Sequence, residues 1–134
     1  MKKKEYKIMF NIENSYWWYK GTRDLVFSVI RNNFHHNYIK LLDAGCGTGM
    51  LLECCRKFKS YGIDFSEEAV KYCRLRKLKD ILRASVASLP FNDNYFDVII
   101  SMDVLYHKSV QNDIKSLKEM HNALNDNGIL ILQL

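Results

Sequence analysis

Residues 41–49 read Leu41-Leu42-Asp43-Ala44-Gly45-Cys46-Gly47-Thr48-Gly49. An apolar run ends in an acid, and three alternate glycines follow. Tyr38-Ile39-Lys40-Leu41-Leu42-Asp43 predicts a strand running straight into a turn. Gly45, Gly47 and Gly49 leave out side chains where backbone must bend sharply or approach a ligand closely. Met50 to Phe58 is the expected helix beyond the turn. A strand, glycine turn and helix in that order open a doubly wound sheet, whose ligands bind outside the carboxyl ends of its strands.

Working outward, strands and helices alternate. Residues 60–64 form a short second strand, and a helix capped by Ser66 runs to about Leu78, with Glu67 and Glu68 suiting its positive N-terminus. Residues 81–84 form a weak third strand, 89–94 a loop, and Phe96 to Ser101 an apolar fourth strand. Val110, Ile114, Leu117, His121 and Leu124 recur at helical spacing, so a helix spans about 109–124. Asn125-Asp126-Asn127-Gly128 is a turn, and Ile129 to Leu134 a fifth strand. The expected architecture is an α/β Rossmann-like doubly wound sheet, with parallel strands in the order 3-2-1-4-5 and helices on both faces.

Upstream, residues 1–21 read as a polar, aromatic-rich arm and 22–34 as an amphipathic helix. The expected division is therefore 1–37, arm and helix, and 38–134, core. The chain has 134 residues and 48% hydrophobic residues, enough for one domain with a buried core. No run approaches the roughly 18 apolar residues of a membrane span. The basic start lacks the apolar run of a signal peptide, so the expected location is cytoplasmic. Cys46, Cys54, Cys55 and Cys73 form no C-x-x-C pair, and no histidine spacing suggests zinc; they read as reduced, packed thiols, and no metal is expected.

The net charge of +5 is unevenly spread. Residues 1–40 carry eight Lys/Arg and three acids, which gives the whole +5; residues 41–134 carry twelve of each sign. A basic arm favours an anionic substrate or surface, or simply solubilises that end.

The turn separates two cofactor classes. Dinucleotide enzymes favour G-x-G-x-x-G, whose third glycine falls at position 50, occupied here by Met50. The acid at the strand end would repel a pyrophosphate but pairs with an ammonium group. S-adenosylmethionine has an ammonium group and no phosphate. Asp64 ends the second strand, where an acid accepts hydrogen bonds from ribose hydroxyls. A nicotinamide-dependent oxidoreductase is disfavoured on these grounds.

With these residues in place, the chain resembles the class I S-adenosylmethionine-dependent methyltransferases, close to the methyltransferase type 11 group. The resemblance covers 38–134: the stretch 41–49, Gly62-Ile63-Asp64-Phe65-Ser66, Ser85 through Phe91, Phe96 through Ser101, and Leu124 through Leu132. It implies that Asp43 and the turn of Ala44, Gly45, Cys46, Gly47 and Gly49 hold the methionine part. Asp64 would hold the ribose, and Phe65 would pack on the adenine. Ser85, Val86 and Ala87 would meet the ring, through the Val86 N–H. Ser101, Met102 and Asp103 would line the pocket near the methyl group. Ser85 departs from the family, which places an Asp there, and a neutral hydrogen bond is worth about 1 kcal/mol against about 1.5–3 for a charged one.

Methyl transfer from a sulfonium is an in-line displacement, and the cofactor supplies the reactive centre. A base is needed only if the acceptor must lose a proton, and Asp103 and His107 are the candidates. The aromatic lead-in around Tyr16-Trp17-Trp18-Tyr19 resembles one that covers the pocket in some relatives. Trp17, Trp18 and Tyr19 form a lid or pack on the sheet. Arg23 pairs with a cofactor carboxylate or anionic substrate, or is a solvated helix-start arginine. The expected reaction is methylation of a small-molecule acceptor, with S-adenosylhomocysteine as product. Nucleic acid is not expected, because no recognition module accompanies the basic arm. The family's sheet has seven strands and this chain stops after the fifth, so a fragment is one expectation. A homodimer or partner covering the edge at 129–134 is another, as is a non-catalytic cofactor- or partner-binding domain.

Overall fold

The computed structural model describes residues 1–106 and 112–134. Five strands form one sheet: β1 (Lys40–Ala44), β2 (Lys59–Asp64), β3 (Ile81–Arg83), β4 (Phe96–Met102) and β5 (Leu124–Gln133). All pairings are parallel, and the order is β3-β2-β1-β4-β5, as the strand–helix alternation predicts. The helices are α1 (Lys3–Ile12), α2 (Trp17–Asn33), α3 (Met50–Cys54), α4 (Glu67–Leu75) and α5 (Asp113–Ala123). The expected helix start at 109–111 lies outside the described residues.

Side chains alternate across the sheet. Leu41, Val98 and Ile100 therefore face one apolar cluster, with Val26 and Ile30 of α2, Leu52 of α3 and Cys73 of α4. Leu42, Ala44 and Ile99 face the other, with Met120 and Ala123 of α5, and Phe96 joins them across the irregularity between Phe96 and Val98. Each cluster is sealed from water, so the central strands are buried on both faces and read as continuous apolar runs.

Three elements differ from the reading of the sequence. The polar arm is largely helical: α1 occupies 3–12, and α2 begins at Trp17 rather than at 22. α3 ends at Cys54, short of the expected Phe58. The turn residues 125–128 lie within the bounds of β5, as an irregularity: Phe96 pairs with Leu124 and Val98 with Ile129, so four residues stand opposite Asp97 alone. Asp97 uses both carboxylate oxygens there. One accepts the Lys40 N–H of β1 at 2.9 Å and the other the Asn125 side-chain amide at 2.9 Å.

Candidate cofactor site

At the carboxyl ends of β1, β2 and β4 lies a cavity of about 750 Å³, within the range of small-molecule sites. Asp43 closes its floor. The residue is 4% exposed, and burial, then the charges of Asp64 and Glu13, push its carboxyl up to about 7. Among the described residues no group donates a hydrogen bond to that carboxylate. A buried acid raised in this way is stabilised by an incoming cation.

The turn wraps around this floor. Gly45, Gly47 and Gly49 all have positive φ, at 90°, 55° and 86°. They serve different ends. A Cβ on Gly45 would strike Val104, and one on Gly49 would come within 2.6 Å of Leu78 and 2.9 Å of Cys73. A Cβ on Gly47 would meet only Met9 Sδ, at 3.5 Å, and otherwise enter the cavity. Gly47 is the cradle; Gly49 sits in the αL region just before α3 and faces α4 instead.

Asp64 is tied to the turn. Its carboxylate accepts the Gly47 N–H and the Ser66 N–H, each at 2.9 Å. Each carboxylate oxygen retains acceptor capacity toward the cavity. Phe65 is exposed on the rim, with Arg83 over its ring at 5.8 Å and donating to its carbonyl at 3.0 Å. Ser85 and Val86 line the cavity, but the Ser85 hydroxyl accepts the Ala87 N–H at 3.1 Å. Asp103 lines the wall after β4 in the left-handed region, φ 58°. It is held there by its N–H on the Gln133 carbonyl and by the Gln133 amide on its carboxylate.

The α1–α2 pair covers the site. Tyr6, Met9 and Glu13 of this segment line the cavity, as do Trp18, Tyr19 and Arg23. Tyr6 is buried, and burial raises its phenol. Glu13 is the anchor. Its carboxylate accepts from the Thr48 hydroxyl inside the glycine turn and pairs with Arg76 at 2.5 Å. Arg76 also pairs with Glu53 at 2.6 Å, donates to the Thr48 carbonyl at 2.8 Å and lies over Phe10 at 4.4 Å. Arg23 donates to the Glu13 carbonyl at 2.6 Å. None of Tyr6, Met9, Glu13, Thr48 or Arg76 is singled out by the motif. For Tyr6, Met9 and Glu13 the signal was present, with Phe10, as spacing at i, i+3, i+4 and i+7, one face of a helix; Thr48 and Arg76 carry no such pattern.

Several expected site residues lie elsewhere. Ser101 is fully buried and its hydroxyl has no hydrogen-bond partner among the described residues; strand alternation points it to the face opposite Met102, which does line the cavity. Ala44 packs into the second apolar cluster by the same alternation. Gly49, which faces α4, is not on the wall, and neither is Ala87. Trp17 is 70% exposed and neither lines the cavity nor packs on the sheet. His107 lies outside the described residues.

Among the described residues, six carboxylates (Glu13, Asp43, Asp64, Glu67, Glu68, Asp103) and four cations (Lys3, Arg23, Lys71, Arg83) line the cavity. That balance fits a positively charged, phosphate-free nucleoside better than a dinucleotide. Sheet order, glycine turn and two strand-end acids together define a nucleoside-cofactor domain of the Rossmann-like class. The chain belongs to the methyltransferase type 11 family, whose model, described as "Methyltransferase domain", matches residues 42–132. It is 34% identical to "Probable tRNA methyltransferase 9B" of Bos taurus over 69% of this chain and 20% of that one. It is 36% identical to "Ubiquinone biosynthesis O-methyltransferase" of Pelagibacter ubique over 70% of this chain and 41% of that one. The chain thus spans from a fifth to under half of these relatives. A Methanococcus maripaludis structure, described as a "putative s-adenosyl-l-methionine-dependent methyltransferase", shares the fold, with TM-score 0.77 and 23% identity over 96% of this chain and 61% of that one.

Proposed function

We propose that the cavity binds S-adenosylmethionine and that the domain transfers its methyl group to a small-molecule acceptor, releasing S-adenosylhomocysteine. The observation that carries this reading is the buried Asp43 carboxyl facing the Gly47 cradle, with Asp64 beside it. When bound, the cofactor supplies an electrophilic methyl on a sulfonium. The chain's own residues bind and orient. Asp43 would accept from the ammonium group, Asp64 from ribose hydroxyls, and the Val86 backbone from its place on the wall would meet the adenine. Phe65 would pack on the ring. Asp103, held by Gln133 beside Met102, would receive a proton from an acceptor that must lose one. Strained backbone at such a position is common where side chains are aimed for chemistry. In this division residues 1–37 cover the site and 38–134 form it.

The test is calorimetric titration with S-adenosylmethionine, S-adenosylhomocysteine and NADH. Binding of the first two and not the third is expected; binding of NADH alone would overturn the reading. For the acceptor, the ubiquinone-pathway relative supports a small molecule and the tRNA-methyltransferase relative supports nucleic acid, so the reading against nucleic acid does not stand by itself. Transfer of labelled methyl to bulk tRNA would replace the small-molecule acceptor.

A second reading, cofactor binding without turnover, is favoured by the edge of β5. Ile129, Leu130 and Ile131 are only half-buried and Leu132 is 38% exposed. A second copy or a partner covering 129–134 would complete the sheet. Light scattering that gives a monomer which also methylates an acceptor would exclude it. No described helix is long and apolar enough to cross a membrane; a cytoplasmic location belongs to this same proposal.

A further inference from the structure

The α1–α2 segment has an outer surface as unusual as its inner one. Of the fifteen exposed large hydrophobic residues among the described residues, seven fall within residues 1–25: Met1, Ile8, Ile12, Tyr16, Trp17, Trp18 and Leu25. Ile8 and Ile12 are 56% and 37% exposed and share one face of α1, one turn apart. The Tyr16 N–H continues from the Ile12 carbonyl at 2.8 Å. Tyr16, Trp17, Trp18 and Tyr19 then form a chain of ring contacts at 5.8–6.0 Å. Trp17 is 70% exposed and Trp18 is 47% exposed. Lys2, Lys3, Lys4, Lys7 and Lys20 are exposed on the same segment. Of its acids up to residue 25, Glu13 is buried against Arg76, which leaves Glu5 and Asp24 outside against the five lysines.

Exposed aliphatics, tryptophans and lysines together are the composition of a helix that lies in a membrane interface. Aromatic rings settle at headgroup level, and lysines meet anionic lipid. We propose that the outer face of α1 and the start of α2 docks on an anionic phospholipid surface, which brings the mouth of the cavity, at Met1, Lys3 and Trp18, against the bilayer. Single-stranded RNA fits less well. Trp17 and Trp18 stand edge to face at 88° and so offer no slot for a base, and Ile8 and Ile12 gain nothing from phosphodiesters.

Trp17 and Trp18 are the only tryptophans in the chain, so their emission reports on this segment, with Trp18 also at the cavity wall; the titrations are therefore run at one fixed cofactor condition. The full chain is titrated with phosphatidylcholine vesicles, with phosphatidylcholine–phosphatidylglycerol vesicles and with a single-stranded oligoribonucleotide. A shift to shorter wavelength and quenching by brominated acyl chains is expected with the anionic vesicles only. Lys4→Gln with Lys7→Gln should lower vesicle affinity about 25-fold, from about fivefold per lysine. Trp17→Ser and Ile8→Ser should each weaken it further. Cofactor binding should stay unchanged in all of them, since none of these residues lines the cavity. No spectral change with anionic vesicles, a response to the oligonucleotide alone, or a lysine variant that binds vesicles like the parent would overturn the proposal. Each result is independent of whether methyl transfer occurs.

Discussion

The glycine turn at 43–49 and the helical pair at 3–33 meet at one cavity, yet they are built by different means. The turn is local. Its acid, its glycines and its strand lie within ten residues, Lys40 to Gly49, and its geometry follows from backbone sterics. The helical pair is held by distance: Glu13 reaches Thr48, 35 residues on, and Arg76, 63 residues on. A site can thus have a legible floor and an illegible roof. The floor is specified by residue type, the roof by a buried polar network that exists only once the chain is folded.

The largest expected effect lies outside the motif. Arg76→Ala leaves Glu13 charged, buried and unpaired, and should cost about 3–5 kcal/mol of stability. Urea denaturation checks this; a loss under about 1 kcal/mol would mean that the roof does not depend on the network. Next, Gly47→Val puts a β-branched side chain at φ 55° and fills the cradle. The variant should lose the stabilisation of about 2.7 kcal/mol that a ligand at a hundredfold its Kd confers. A thermal shift with S-adenosylmethionine equal to the parent's would place the cofactor elsewhere.

Asp43 adds a pH dependence to the floor. Its carboxyl is raised from 3.8 to about 7, so between those values the folded state holds the proton more tightly than the unfolded. Its contribution to stability is therefore full below about 4 and lost as pH rises through 7. A cation binds the ionised form, so cofactor affinity should rise with pH up to about 7 and then level off. Asp43→Asn should flatten both profiles, and a parent affinity that is itself flat from pH 5 to 8 would remove the ammonium partner. The smallest effect is expected at Ser85→Ala. Losing its bond to the Ala87 N–H should cost about 1 kcal/mol in melting experiments, with cofactor affinity changed by less than tenfold; a larger loss would give the hydroxyl a direct role at the adenine.

Much of the sheet was legible because its strands are apolar runs with turn signals between them, and Asp43 and Asp64 stand at strand ends. The α1 helix was not, because a ten-residue, lysine-rich helix draws its stability from packing rather than propensity. Gly21, inside α2, lowers helix propensity and moved the expected start past Trp17. Ser101 was misplaced within a correctly read strand, since membership of β4 does not say which face a residue takes. Asn125 to Gly128 carry turn chemistry, and their opposition to a single residue of β4 is set by pairing and not by composition.

Asp97 ties that irregularity to the middle of the sheet, one oxygen to β1 and one to the bulged start of β5. Parallel apolar strands are prone to sliding, because a slip of one residue exchanges one apolar face for another that water rejects almost equally. A carboxylate that is satisfied only when Lys40 and Asn125 arrive together penalises every such slip. Asp97 thus acts as a fiducial mark for assembly, and its removal should show less in the finished fold than in how many chains reach it.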